Sequence, residues 1–236
     1  MCLVIGDTEM SKVLVNNHAI VIPGEKLAEG NYKYGDGVIH EGDNYYASIL
    51  GLFQDKGDFI HVKSLKGKYI PRPGDLVVGQ VTEVGLVNWL VDIGSPYIAV
   101  MTAGNASDRR FDPVKNDSRK IFDVGDIILA KILNFDRTRD PQLVANERGL
   151  GKLRGGRVVA VEPSHVPRVI GKKGTMINMI KRLTRCQIII GQNGRIWVNG
   201  RKIEEELKAI SAFKKIEMEA HTTGLTDRIR EMLEQK

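Results

Sequence analysis

The chain has 236 residues, 42% of them hydrophobic, enough for two or three small cores and not plainly for one large one. No run of about 18 apolar residues occurs, which excludes a membrane-spanning helix, and acidic and polar residues follow Met1 too early for a secretory signal, so a soluble, cytoplasmic protein is expected. Two cysteines, Cys2 and Cys186, exclude a disulfide framework and a cysteine zinc site and read as free thiols, whereas a net charge of +6 by itself excludes little.

Short β-branched runs punctuated by glycine dominate the first 146 residues and predict all-β modules, with helical periodicity only afterwards. Residues 1–9 read as a loose extension or an alternative start. Strands are expected over 13–15, 19–22, 38–39, 45–50 and 59–62, separated by turn signals at Pro23-Gly24, Gly35-Asp36-Gly37, Gly42-Asp43-Asn44 and Gly57-Asp58. That pattern gives a small antiparallel β domain, residues 1–68. Pro71 and Pro73 cannot sit inside a central strand and mark a boundary.

A second unit, residues 69–150, alternates over 76–84, 89–93 and 97–101. Two further strands around 122–132 and 142–145 give five in all, the count of an OB barrel. Exposed cations fall on its connections: Arg109, Arg110, Lys115, Arg119, Lys120, Arg137 and Arg139. Asp108, Asp112, Asp117, Asp136 and Asp140 are interleaved with them, so a track for RNA and a self-balanced surface are both open.

The third unit, residues 151–236, opens with a strand near 158–161 and a short helix with Pro167 early in it. Val169-Ile170-Gly171-Lys172-Lys173-Gly174-Thr175 follows, then a helix whose apolar positions are Met176, Ile177, Ile180 and Leu183. Strands at 187–190 and 195–198 are joined by Gly191-Gln192-Asn193-Gly194, a hairpin signal, and a long helix over about 202–219 closes the unit. A β-α-α-β-β-α order with Gly-x-x-Gly between its first two helices is that of a type I KH domain. Such a loop clamps about four nucleotides of backbone, because glycines let the chain approach phosphates and the next helix points free N–H groups at them. Trp197 reads as core and not as a stacking platform.

Charge supports a polyanion. From Lys152 to Lys202 there are twelve bases and one acid, Glu162, so this stretch carries +11 while the rest of the chain sums to −5. The competing reading is a solvated face balanced by acidic neighbours or by an acidic partner protein. Enzyme signatures do not appear. His18, His40, His61, His165 and His221 have no metal spacing, and Gly171-Lys172 is followed by lysine where a phosphate-binding loop needs Ser or Thr. The pairs Asp55/Asp58 and Asp123/Asp126 could in principle hold magnesium, but they sit in turns where aspartate serves the backbone. No catalytic residue, metal or cofactor is expected.

The middle unit resembles S1 domains: a glycine before Val81-Thr82-Glu83-Val84, a second strand ending Val91-Asp92-Ile93-Gly94, and Val124-Gly125-Asp126 leading into Ala130-Lys131-Ile132. It departs from them where stacking aromatics are usual. Val87 and Leu90 stand there instead, and Trp89 can point to either face, which implies a weaker, more electrostatic RNA surface. With Val21-Ile22-Pro23-Gly24-Glu25 before a single S1 and a single KH module, nearly the whole chain is similar to the RNA-binding cap subunit of the archaeal exosome. Polynucleotide phosphorylases have the opposite module order, and Nus-type elongation factors have two KH domains.

The resemblance implies a multidomain, mainly β plus α/β chain that is not an enzyme. It implies three copies on a hexameric ring of RNase PH-like subunits, docked through the region of Val21, Ile22, Pro23 and Gly24. Single-stranded RNA would be held by Arg168, Ile170, Gly171, Lys172, Lys173, Gly174 and the basic barrel loops, with its 3′ end passed to the ring for degradation or tailing. The alternative is a free-standing RNA-binding accessory factor of translation or transcription.

Overall fold

The computed structural model describes residues 12–65, 67–107, 117–136, 138–220, 222 and 224–234. These fall into two compact units that meet at Gly67 and Lys68. The expected extension at 1–9 lies outside the described residues, as do Cys2 and His221.

The first unit holds eight short strands: β1 (Lys12–Val13), β2 (Ile20–Val21), β3 (Lys26–Glu29), β4 (Lys33–Tyr34), β5 (Val38–Glu41), β6 (Asn44–Ala47), β7 (Gly51–Asp55) and β8 (Phe59–Ser64). They form two four-stranded sheets, ordered β1-β3-β6-β5 and β2-β7-β8-β4, and every pairing is antiparallel except β4 with β8. Leu27, Phe53, Ile60 and Val62 from both sheets fill one core. The strand expected over 45–50 ends at Ala47 as β6, and β7, a strand that was not expected, follows at Gly51 in the other sheet. Ser48 to Leu50 carry the chain across, and Gly51 is what lets β7 settle against β8. A Cβ there would lie 2.4 Å from the Lys63 carbonyl oxygen, a contact that no flexible side chain can relieve.

The second unit begins with a barrel. Its strands are β9 (Leu76–Val84), β10 (Asn88–Asp92), β11 (Ala99–Thr102), β12 (Ile127–Asp136) and β13 (Arg139–Val144), with a short helix α1 (Ala103–Ala106) after β11. The order β13-β11-β10-β9-β12 closes through a β12–β13 pairing, so five strands make a barrel without a free edge. Trp89 is fully buried and donates from Nε1 to the Phe122 carbonyl at 2.9 Å, which settles the face it takes. A further strand, β14 (Gly151–Leu153), pairs with β12. The barrel sheet therefore runs three residues past the boundary placed after residue 150.

Beyond it lie β15 (Arg157–Ala160), α2 (Val166–Ile170), α3 (Thr175–Thr184), β16 (Gln187–Ile190), β17 (Arg195–Asn199), α4 (Ile203–Met218) and α5 (Leu225–Glu234). The sheet order β15-β17-β16 and the two helices before β16 are the type I KH arrangement. The last helix was not expected. It presents Leu225, Ile229 and Leu233 at intervals of four to the core shared with Ile180 and Phe213.

The two modules of this unit are locked together. Asn193, only 5% exposed, lies against the barrel: its Nδ2 donates to the carbonyls of Val78 and Ile93 at 2.8 Å each, and its Oδ1 accepts from the Val78 amide at 3.2 Å. The Gln192 amide donates to the Leu76 carbonyl at 2.7 Å. Trp197, Val78 and Leu129 form a small core of their own between the modules, with the Trp197 Nε1 bonded to Gly155.

Arg195 completes the seam, donating to the Asp92 carboxylate and to its carbonyl oxygen at 2.6 Å each. Burial pushes the Asp92 carboxyl up, but the Arg195 hydrogen bond, the Gly94 amide and the guanidinium charge outweigh that and hold it below its ordinary value. Stability linked to this pair is therefore complete above the usual aspartate range and is lost as pH falls through the lowered folded value. Thermal midpoints measured from about pH 5 down to about pH 2 should fall more steeply for the native chain than for Arg195→Met. Parallel curves would show that the pair contributes nothing.

Candidate nucleic-acid interface

The loop between α2 and α3 has a backbone that side-chain-bearing residues adopt only under strain. Gly171 lies at φ 74°, ψ 171°, and Gly174 at φ 75°, ψ 15°. Between them Lys173 is held in the left-handed region at φ 52°. The turn is pinned by amide bonds from Gly171 to Pro167 and from Gly174 to Gly171, at 2.9 and 3.1 Å. A Cβ on Gly171 would meet the Met176 backbone nitrogen at 2.9 Å, whereas one on Gly174 would meet nothing nearer than Asn178 Nδ2 at 3.4 Å. The first glycine is thus required for closure and the second mainly for its torsion.

Beyond Gly174, α3 runs for ten residues with no side-chain cap at its start. The Thr175 amide at its start donates to the Lys172 carbonyl, and the first turn carries the positive end of the helix dipole. Lys172 and Lys173 are exposed on the same turn, neither with an ion pair among the described residues. Exposed cations, the positive end of a helix and glycines without Cβ atoms make this a place where a phosphodiester can be gripped without base recognition.

The other expected contacts divide. Arg168 is exposed, but its Nη2 donates to the Thr222 carbonyl at 2.6 Å, so it braces α2 against the turn before α5. Ile170 is half-buried against the KH core and shapes the loop from beneath. Arg119 and Lys120 stand exposed on a one-turn helix capped by Asp117, whose carboxylate accepts from the Arg119 amide, and Arg139 is exposed at the start of β13. Arg109, Arg110, Lys115 and Arg137 lie outside the described residues.

Val87 is half-exposed and Leu90 half-buried, apolar where S1 domains usually carry stacking rings, and Leu86 beside them is 82% exposed. Among the described barrel residues an aromatic pair does reach the surface: Tyr97 and Phe135, both half-buried, meet edge to face at 5.0 Å. Only tertiary structure brings them together, from the β10–β11 connection and the far end of β12.

On the first unit, Val21 is fully buried in the core, so it offers nothing to a partner. Its neighbour Ile22 is 60% exposed, and Pro23 and Gly24 line a shallow groove of about 330 Å³ with Ile39, Tyr46 and Ala47. Three of the four paired aspartates serve their turns: Asp55 accepts from the Gly57 amide, Asp123 from the Val124 amide, and Asp126 from the Asp123 amide and also from Lys152.

Three family models match in succession. Residues 18–66 match the exosome RNA binding protein RRP4 N-terminal domain, 68–134 the RRP4 S1 domain, and 156–204 the KH domain. The exosome complex component Rrp4 of Pyrococcus furiosus is 46% identical over 226 residues, covering 95% of this chain and 86% of that one. The chain belongs to the Rrp4 family. Rrp4 of Methanothermus fervidus is 45% identical over 94% of this chain and 97% of its own. A crystal structure described as an exosome complex RNA-binding protein, 41% identical, superposes with a TM-score of 0.67 over 71% of this chain and 96% of its own. Membership in the Rrp4 family accounts for the module order, with the N-terminal sheets, the S1 barrel and the KH fold in sequence. No helix among the described residues is long and apolar enough to cross a membrane.

Proposed function

We propose that this chain is a non-catalytic RNA-binding subunit of an exosome. It captures single-stranded RNA at the Gly171–Gly174 loop and presents the 3′ end to a hexameric ring of RNase PH-like subunits, which carries out phosphorolysis or tailing. The observation that carries this reading is the loop itself: two half-buried glycines at positive φ flank two exposed lysines, directly before a helix start with no side-chain cap. The exposed cations Arg119, Lys120 and Arg139 on the barrel add sequence-independent attraction for the same strand.

Docking is assigned to Ile22, Pro23 and Gly24, whose exposed apolar surface and shallow groove suit a protein partner. Three copies around the ring would raise the local concentration of RNA at its mouth without adding a catalytic group. Native mass measurement of the assembly, with and without oligoadenylate, tests this reading. A ring-bound species that gains the mass of the RNA is expected, and the isolated chain should leave oligoadenylate intact with magnesium and phosphate present. A chain that stays free of any ring, or that shortens the RNA unaided, would overturn it.

A further inference from the structure

We propose that RNA gripped at the glycine loop continues along the solvent face of α3, onto a second cationic site made of Lys181, Arg182 and Arg185. This rests on the clamp reading above and extends it. α3 is sharply two-sided: Met176, Ile177, Met179 and Ile180 are buried, while Thr175, Asn178, Lys181, Arg182 and Arg185 are exposed. Positions 175, 178, 182 and 185 follow one another at spacings of three, four and three, so they lie along one face. That stripe begins directly after Gly174 and ends about 15 Å farther on, from the helical rise per residue.

Charge pairing divides the cations of this module, and these three fall with the loop lysines on the side without a counter-charge. Lys152 is paired with Asp126, Arg157 with Glu206, Arg195 with Asp92, Arg228 with Glu219, and Arg168 with a carbonyl. Lys181, Arg182 and Arg185 have no ion pair or side-chain hydrogen bond among the described residues, and no acid occurs in the sequence between Glu162 and Glu204. Compensation of the helix dipole explains a cation at the end of a helix. It does not explain three adjoining cations left without a counter-charge. Arg185 moreover takes the left-handed cap position at φ 56°, where glycine or asparagine is the usual choice.

An acidic protein surface could also supply the missing charge. RNA is favoured because the stripe is continuous with a loop whose backbone is already shaped for phosphates. Polar Thr175 and Asn178 bridge the two sites with hydrogen-bonding groups and no acid.

The test uses the full chain and fluorescent oligoadenylates of four and twelve nucleotides, with affinity measured across a salt series. For Lys181→Gln/Arg182→Gln/Arg185→Gln, binding of the 12-mer should weaken and its log-log salt dependence should flatten by about 2, from about 0.7 per phosphate contact on a single strand. Binding of the 4-mer should stay as in the native chain. Arg182→Lys/Arg185→Lys keeps the charge and should keep the salt dependence, which separates charge from any change in folding. An unchanged slope with the 12-mer overturns the proposal, as does equal loss of both oligomers, or loss of protein assembly alone. Lys172→Gln/Lys173→Gln serves as the separate check on the clamp: if it leaves the 4-mer untouched, the clamp reading fails independently of the stripe.

Discussion

Reversing both loop lysines, Lys172→Glu with Lys173→Glu, is expected to weaken capture of short single-stranded RNA by at least about a hundredfold, since each charge-assisted hydrogen bond contributes about 1.5–3 kcal/mol. The protein should remain folded, because both side chains are exposed and neither belongs to a core. Fluorescence anisotropy with a four-nucleotide probe gives the affinity, and circular dichroism gives the fold. Affinity within threefold of the native value would mean that the loop is a surface turn. The choice of lysines over glycines follows from geometry. Gly171→Asp would force a Cβ to 2.8 Å from Met176 Cβ and 2.9 Å from its backbone nitrogen at a torsion reserved for glycine. Loss of RNA binding in that variant would report a damaged α2–α3 corner. Gly174→Asp is the better glycine variant, since only torsional strain of about 1–3 kcal/mol opposes it.

Asn193→Ala should have the largest effect on stability in the second unit. It strips partners from the Val78 amide, the Val78 carbonyl and the Ile93 carbonyl, all facing a 5% exposed side chain. A buried polar group left unsatisfied costs about 1–3 kcal/mol, so a loss of roughly 3–5 kcal/mol is expected once the seam relaxes. Scanning calorimetry should show the shared transition of barrel and KH module moving down and separating into two. A single transition at the native temperature would show that the apolar seam around Trp197 holds the modules without Asn193.

That residue also marks the limit of what the sequence discloses. Gly191-Gln192-Asn193-Gly194 reads as a hairpin turn, and it is one: Gly191 bonds back to Arg195 and the strands pair in register on either side. Nothing local says that the turn's asparagine enters another module, because its partners are 115 and 100 residues away. Periodicity served well wherever one element makes one face, as for the five barrel strands and for α3. It failed where a short strand changes sheet, as at Ser48 to Leu50, and where a helix follows a glycine-marked break, as α5 follows Gly224. The glycine loop was legible because its torsions demand that residue type. The pairing of Arg168 with Thr222 was not, since a basic side chain looks the same whether it faces solvent or a carbonyl. The resemblance to the exosome cap subunit was legible from module order, which depends on no single side chain.

The seam between barrel and KH module carries a mechanical consequence. Hydrogen bonds between main chain and side chain across it, together with the wedge of Trp197, Val78 and Leu129, leave no hinge at which one module could swing against the other. The separation between the glycine loop and the barrel tip is then a fixed length built into the protein. A strand that touches both must bend to fit that gauge, and one too short to span it gains nothing from the second contact.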